Sequence, residues 1–288
     1  MSKTIWGNPV TFNDKVNEIV VGNTPIIPRA TWNNLSTEAK QSYGYVGVTD
    51  TDLGYTRGKL YYGRDFLPIG KYIPYSEPDK IICEATLDNF DGDIPKWGDG
   101  DRPITFINAT PQVDSSTDSV FIRTASNGEI GYVDLGAVDT TFTAYLVAKT
   151  AVQGSFTRII CATASHGANM APMLYSNGWD ITLSKWTDGV TLGAKSNTWF
   201  VAALKCTGAG SPYKGAAFDG SNIIEIKSTG NPTSVGRYLT LARTDIGSES
   251  NQLPNDMYVK YLGVTTTADT DETIIKNIKN LYSCFVQA

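Results

Sequence analysis

Histidine is almost missing from this 288-residue chain, with His166 the only one. Ser165 precedes it, but a nucleophilic triad needs a base set across the fold and oriented by a third group. Adjacency therefore points to a surface or turn histidine. Glutamate is scarce too: Glu18, Glu38, Glu77, Glu84, Glu129, Glu225, Glu249 and Glu272 are the eight, and no two lie within six residues. Four cysteines, Cys83, Cys161, Cys206 and Cys284, contain no C-x-x-C pair, which excludes a zinc or thiol-redox motif. They are expected as buried thiols; if any pair were bridged it would be Cys83 with Cys284, which flank one segment. Basic excess is lacking: the net charge is −5 and the pI about 5.0, which argues against nucleic acid as a partner. No apolar run approaches the ~18–20 residues that cross a bilayer. Neither a P-loop nor a dinucleotide-binding fingerprint occurs. Met1-Ser2-Lys3-Thr4-Ile5-Trp6 leads into Gly7-Asn8-Pro9 without an apolar h-region. The expectation is a chain kept soluble after synthesis, or released by lysis.

Glycine (27), proline (13) and tyrosine (15) are abundant, and with 41% hydrophobic and 18% charged residues the composition is globular. Short strands joined by many turns fit it best, an all-β architecture. After residue 80 the pattern turns regular. Expected strands are 81–85, 120–124, 130–134, 142–149, 158–163, 170–175, 179–186, 198–206, 215–218, 223–228, 238–243 and 257–264. Asn127-Gly128, Asn177-Gly178, Asp188-Gly189 and Asp219-Gly220 supply turn signals. About a dozen strands in two hundred residues make a two-sheet sandwich or jelly roll. Asp269 and Glu272 are spaced as a capping box ahead of Ile274, Ile275, Ile278, Leu281, Tyr282 and Phe285, predicting one amphipathic C-terminal helix.

Residues 1–80 differ. Nine basic and eight acidic residues leave them near neutral, with seven tyrosines and two tryptophans. Strands are expected at 18–21, 45–49 and 59–62, and a short helix at 36–43. So many aromatic faces exceed what a small core buries, and such surface usually meets another chain. Residues 1–70 are therefore expected as an attachment or oligomerisation module. Pro68, Pro74 and Pro78 stiffen the chain at the end of this module, placing a Pro-rich linker at 71–80 and the sandwich at 81–288. A module so small is marginal alone, and near neutrality removes the repulsion that opposes self-association. A homotrimer or other cyclic multimer built through residues 1–80 is the expected state.

The segment Trp199-Phe200-Val201-Ala202-Ala203-Leu204-Lys205, then Ala217-Phe218-Asp219-Gly220-Ser221-Asn222, then Met257 to Val264 and a capped helix, resembles the laminin-G-like, concanavalin-A-like jelly-roll family. The resemblance covers about residues 84–288 and implies the fold far more than the function. A proline linker and an aromatic N-terminal segment ahead of such a domain look like bacteriophage virion proteins of the fibre, baseplate or receptor-binding type. That layout implies docking on other virion proteins through residues 1–80. It also implies a jelly roll turned outward to host-surface polysaccharide, on a virion surface assembled in the bacterial cytoplasm. Hydrolases of this fold carry Glu-x-Asp-x-Glu or Glu-x-Asp-x-x-Glu on one strand. Glu225 is the nearest relic and has no Asp two residues on, so no enzyme is expected. A free-standing lectin module and, more remotely, a degenerate glycoside hydrolase are the alternatives.

A shallow sugar site needs an aromatic face and short polar groups. Tyr175, Asn177, Trp186, Asp188 and Tyr213 lie in or beside expected loops and are the carbohydrate-binding candidates, with Trp179 nearby. Trp179 and Trp186 differ by seven, which puts them on opposite faces of any one strand and at least one of them in the core. Asp91, Asp93, Asp99 and Asp101 form an acidic, glycine-rich loop. Calcium is the only cofactor it would admit, but the spacing is no EF-hand, and turn-capping aspartates in a solvated loop explain it without metal.

Overall fold

The structure, a computed structural model, describes residues 20–21, 24–27, 45–48, 59–62, 67–71, 81–90, 96–98, 100–123, 130–150, 154–163, 173–184, 189–232, 234–241 and 256–286. The chain divides into two compact units, Met1–Pro78 with Lys279–Ala288, and Asp79–Ile278. In the first, β1 (Val20–Val21), β2 (Thr24–Ile27), β3 (Tyr45–Val48), β4 (Lys59–Tyr62) and β5 (Leu67–Lys71) form one sheet in chain order. Only β2 and β3 run parallel. The expected helix at 36–43 and the linker after residue 71 lie outside the described residues.

The second unit is a two-sheet antiparallel sandwich. Sheet I runs β19 (Lys227–Thr229), β18 (Tyr213–Phe218), β17 (Phe200–Cys206), β12 (Phe142–Thr150), β21 (Met257–Thr265), β10 (Ser119–Ile122), β9 (Gln112–Asp114). One edge of β21 is shared: its first residues hold β10 and its last ones hold β6 (Ile81–Thr86). Sheet II runs β16 (Val190–Lys195), β15 (Asp180–Ser184), β14 (Met173–Gly178), β13 (Gly154–Thr163), β20 (Tyr238–Leu241), β11 (Ile130–Asp134), β8 (Ile104–Ile107), β7 (Lys96–Trp97).

Alternation builds the core. Phe142, Ala144, Leu146 and Ala148 of β12 and Phe200, Ala202 and Leu204 of β17 point inward from sheet I. They join Leu174, Ile181, Leu183, Leu239 and Leu241 from sheet II. Each large side chain buried this way contributes about 1.5–3 kcal/mol. The sheets approach closely at Gly215, where a Cβ would lie 3.0 Å from Leu183 and 3.4 Å from Leu174. Trp97, also in the core, donates its indole N–H to the Thr86 carbonyl at 2.7 Å. All four cysteines are buried thiols and no disulfide joins Cys83 to Cys284.

Helix α1 (Asp271–Phe285) closes the chain, with Ile274, Ile278, Leu281 and Phe285 buried on the expected face. Its cap differs from the expected box. Thr270 is the N-cap, its hydroxyl accepting the Thr273 N–H at 3.1 Å. Asp269 turns inward instead. Its carboxylate accepts from the Tyr145 hydroxyl and, at 3.1 Å, from Thr267. Asn277 of the helix donates to the same Tyr145 oxygen at 3.0 Å. This buried network explains why β12 is apolar on its inner face yet buried on both.

Three other expectations change. Residues 223–226 are not strand, and Ile223 is 81% exposed. The cause is the preceding bracket: Asp219 accepts the Lys195 N–H of β16 at 2.8 Å, and Asn222 donates to the Leu192 carbonyl at 3.4 Å and the Ala217 carbonyl at 3.0 Å. The chain is tied to the opposite sheet there and rejoins sheet I only at Lys227. The β14–β15 hairpin pairs Asn177 with Asp180, so its two loop residues are Gly178 and Trp179, not Asn177 and Gly178. Gly178, at φ +72°, takes the first loop position that favours glycine. Strands β2, β5, β7, β8, β9 and β16 were not expected.

Candidate functional site

The outer face of sheet II carries a continuous row of register partners: Lys96, Thr105, Tyr132, Thr240, Cys161, Met173 and Ser184. The middle of that row is buried, whereas Tyr132 and Thr105 are half-exposed and Lys96 is exposed. In β11, Gly131 and Val133 face the core, which turns Tyr132 and Asp134 outward; in β20, Leu239 and Leu241 do the same for Tyr238 and Thr240. Pairing of β11 with β20 thus brings two tyrosines and a carboxylate onto one open surface.

The Tyr132 and Tyr238 rings meet edge to face, with centroids 5.3 Å apart and planes at 82°. Beside them Arg237 grips Asp134 as a fork, Nε to Oδ1 at 2.8 Å and Nη2 to Oδ2 at 2.6 Å, with its guanidinium 5.4 Å from the Tyr238 ring centre. The Gly136 N–H also donates to Asp134, at 2.7 Å. Gly136 suits its place because its φ is +93°, and a Cβ there would displace the Arg102 guanidinium, 2.4 Å away. Arg102 itself reaches the Asp134 carbonyl at 3.4 Å. The hydrogen bond from Arg237 holds the Asp134 carboxyl below its ordinary value, against the opposing effect of partial burial. The same partnership raises the Arg237 guanidinium. A general acid needs its pKa lifted towards neutrality, so Asp134 is tuned the wrong way for that role. The patch presents two half-exposed phenol rings beside a paired arginine and carboxylate.

The residues expected from sequence fall elsewhere. Tyr213 is corrected outright. Its strand begins two residues earlier than expected, so it shares the inward parity of Gly215 and Ala217 and is fully buried in the core. Tyr175 does lie on the outer face of sheet II, opposite Arg158 and Thr182, but is 8% exposed. A Cβ at Gly189 would lie 2.7 Å from its hydroxyl oxygen, so that neighbour must be glycine for the ring to stay there. Asn177 is exposed at the hairpin end, opposite Asp180. Trp186 and Asp188 lie outside the described residues, as do Asp91, Asp93 and Asp99. Asp101 is exposed, and no group of three metal-ligating side chains occurs among the described residues. Glu225 is exposed and paired with Lys227, which holds its carboxyl below the ordinary value. His166 is outside the described residues. Tyr132 and Tyr238 were discoverable: both sit at polar-face positions of strands that the alternation identifies.

No family model matches the chain, and no curated protein matches it. Among solved structures it is similar to the botulinum neurotoxin serotype D/C binding domain (11% identity, 71% of this chain and 52% of that one, TM-score 0.44). It is similar also to domain 4 of an extracellular arabinanase from Geobacillus stearothermophilus, solved with arabinotriose (12% identity, 69% and 98%, TM-score 0.48). A third is Trypanosoma rangeli sialidase (10% identity, 74% and 34%, TM-score 0.49). The chain spans about half of the toxin domain and a third of the sialidase. With every score below 0.5, these likenesses carry no weight for function.

Proposed function

We propose that this chain is a non-catalytic glycan-binding protein whose site is the outer face of sheet II around Tyr132 and Tyr238. The observation that carries the reading is the open edge-to-face tyrosine pair beside the Arg237–Asp134 fork. A sugar ring presents one apolar C–H face and a rim of hydroxyls. A half-exposed tyrosine ring matches the face, and a carboxylate held in place by arginine matches the rim. Because Arg237 and Asp134 neutralise one another, the patch suits uncharged sugars.

In the same proposal residues 1–80 anchor the chain to a bacteriophage particle and assemble it as a trimer, so that several weak sites act together. Support comes from the aromatic, near-neutral composition of that segment and the prolines at its end. Titration of the full-length chain with neutral oligosaccharides tests the site. Binding that Tyr238→Ala abolishes supports it, and binding indifferent to Tyr132 and Tyr238 refutes it. Light scattering tests the assembly, for which a monomer at micromolar concentration is the refuting result. Absence of the chain from purified particles of the lysate would refute the virion role.

A further inference from the structure

The outer face of sheet I holds a second cluster of different chemistry. Register places Lys149 of β12 against Tyr258 of β21, Tyr258 against Phe121 of β10, and Phe121 against Gln112 of β9. Tyr258 and Phe121 lie side by side, ring centres 4.9 Å apart and planes tilted 39°. Phe200 pairs with Ala148, which sets Trp199 next to Lys149 at the start of β17. The shift in register between Val147 and Ala148 makes Lys260 the extra residue of β21, and its ammonium stands 4.6 Å above the Trp199 ring. At the other end the Arg123 guanidinium lies 5.7 Å from the Phe121 ring and 3.3 Å from Asp256. Three aromatic rings and three cations therefore gather at one end of the sheet's outer face, and among the described residues Asp256 is the carboxylate paired with Arg123. With strands ~4.8 Å apart, the line from Trp199 to Phe121 spans about 14 Å. All the rings are half-exposed and Arg123 is exposed. The Tyr145–Asp269–Asn277 network occupies the opposite end of β12.

The bland explanation is that these are cross-strand pairs supporting the sheet, each worth a few tenths of a kcal/mol. It does not account for the clustering of charge. The chain carries net −5, yet three cations gather at this place among the described residues. We propose that this end of the face is a second binding site, for an acidic polysaccharide. The rings would stack on sugar faces while Lys149, Lys260 and Arg123 meet the carboxylates or sulfates.

Titration of the full chain with oligogalacturonate in low salt is the test. The probes for comparison are dextran oligosaccharides, oligo(dT) and phosphatidylglycerol vesicles. Oligogalacturonate should bind, weaken as salt screens the cations, and lose about tenfold in affinity in Lys149→Gln/Lys260→Gln. Both positions are half-buried on the outer face, outside the core, and an unchanged melting temperature verifies that the fold is kept. Tyr132→Ala should leave this binding untouched, so the site stands or falls separately from the one on sheet II. No binding of oligogalacturonate, binding unaltered in the double variant, or tighter binding of oligo(dT) or vesicles would overturn the proposal.

Discussion

The two sheets of the sandwich use their outer faces differently. Sheet I buries one end of its face in a hydrogen-bonded network: Tyr145, Asp269 and Asn277 are all nearly inaccessible. Around the open margin of sheet II the polar groups are paired but accessible, as in the Arg237–Asp134 fork, where the side chains keep 46% and 34% exposure. Similar groups thus have opposite consequences. A buried hydroxyl–carboxylate contact specifies the fold and is costly to break, because removing one partner strands the other. An exposed fork adds little stability, so it can be changed without unfolding the chain.

That contrast is open to attack, most sharply at Asp269. Asp269→Ala should cost about 2–4 kcal/mol, since it strips the Tyr145 hydroxyl of its acceptor inside the protein. Urea unfolding measures it, and affinity for sugar per folded molecule should stay unchanged. Tyr238→Ala should show the reverse pattern: stability nearly unaltered, and glycan affinity down at least ~10-fold by titration calorimetry. At the helix start Thr270→Ala should cost about 1 kcal/mol in the same urea experiment, whereas Asp271→Asn, one residue on, should cost less.

The smallest effect concerns pH. Arg237 lowers the Asp134 carboxyl in the folded state, so the fork contributes stability that is complete above the unfolded value of ~3.9. It fades as pH falls through the lower folded value. Because the pair is more than a third exposed, the loss should stay below about 1 kcal/mol. Comparing wild type with Asp134→Asn between pH 5 and the acid transition detects it. A gap that widens on acidification would reverse the sign argued here.

Much of the sandwich is legible in the sequence because its strands alternate against one core. The expected 130–134 coincides with β11, and the starts of β6, β12, β20 and β21 are placed correctly. Short edge strands are not legible: β7 has two residues, and β16 is broken by Gly193 at φ +87°. The capping box misleads because Asp269 is followed at once by a second capping residue, Thr270, and only tertiary contact with Tyr145 decides between them. The sandwich interior took Tyr213 because the true start of β18 sets its parity. The open patch escapes for another reason. Asp134 and Arg237 are 103 residues apart, and only the pairing of β11 with β20 brings them together. Looking for aromatics in loops passes over tyrosines on the polar faces of strands.

Sugar binding on the outer face of sheet II is proposed to run through Tyr132 and Tyr238. Its most direct test is calorimetric titration of the full-length chain and of Tyr132→Ala/Tyr238→Ala with a panel of neutral oligosaccharides, both proteins having the same far-UV spectrum. Saturable binding to at least one sugar by the wild type, and none by the double variant, is the expected result. Equal binding by both proteins would contradict it, as would wild-type protein that binds no sugar in the panel.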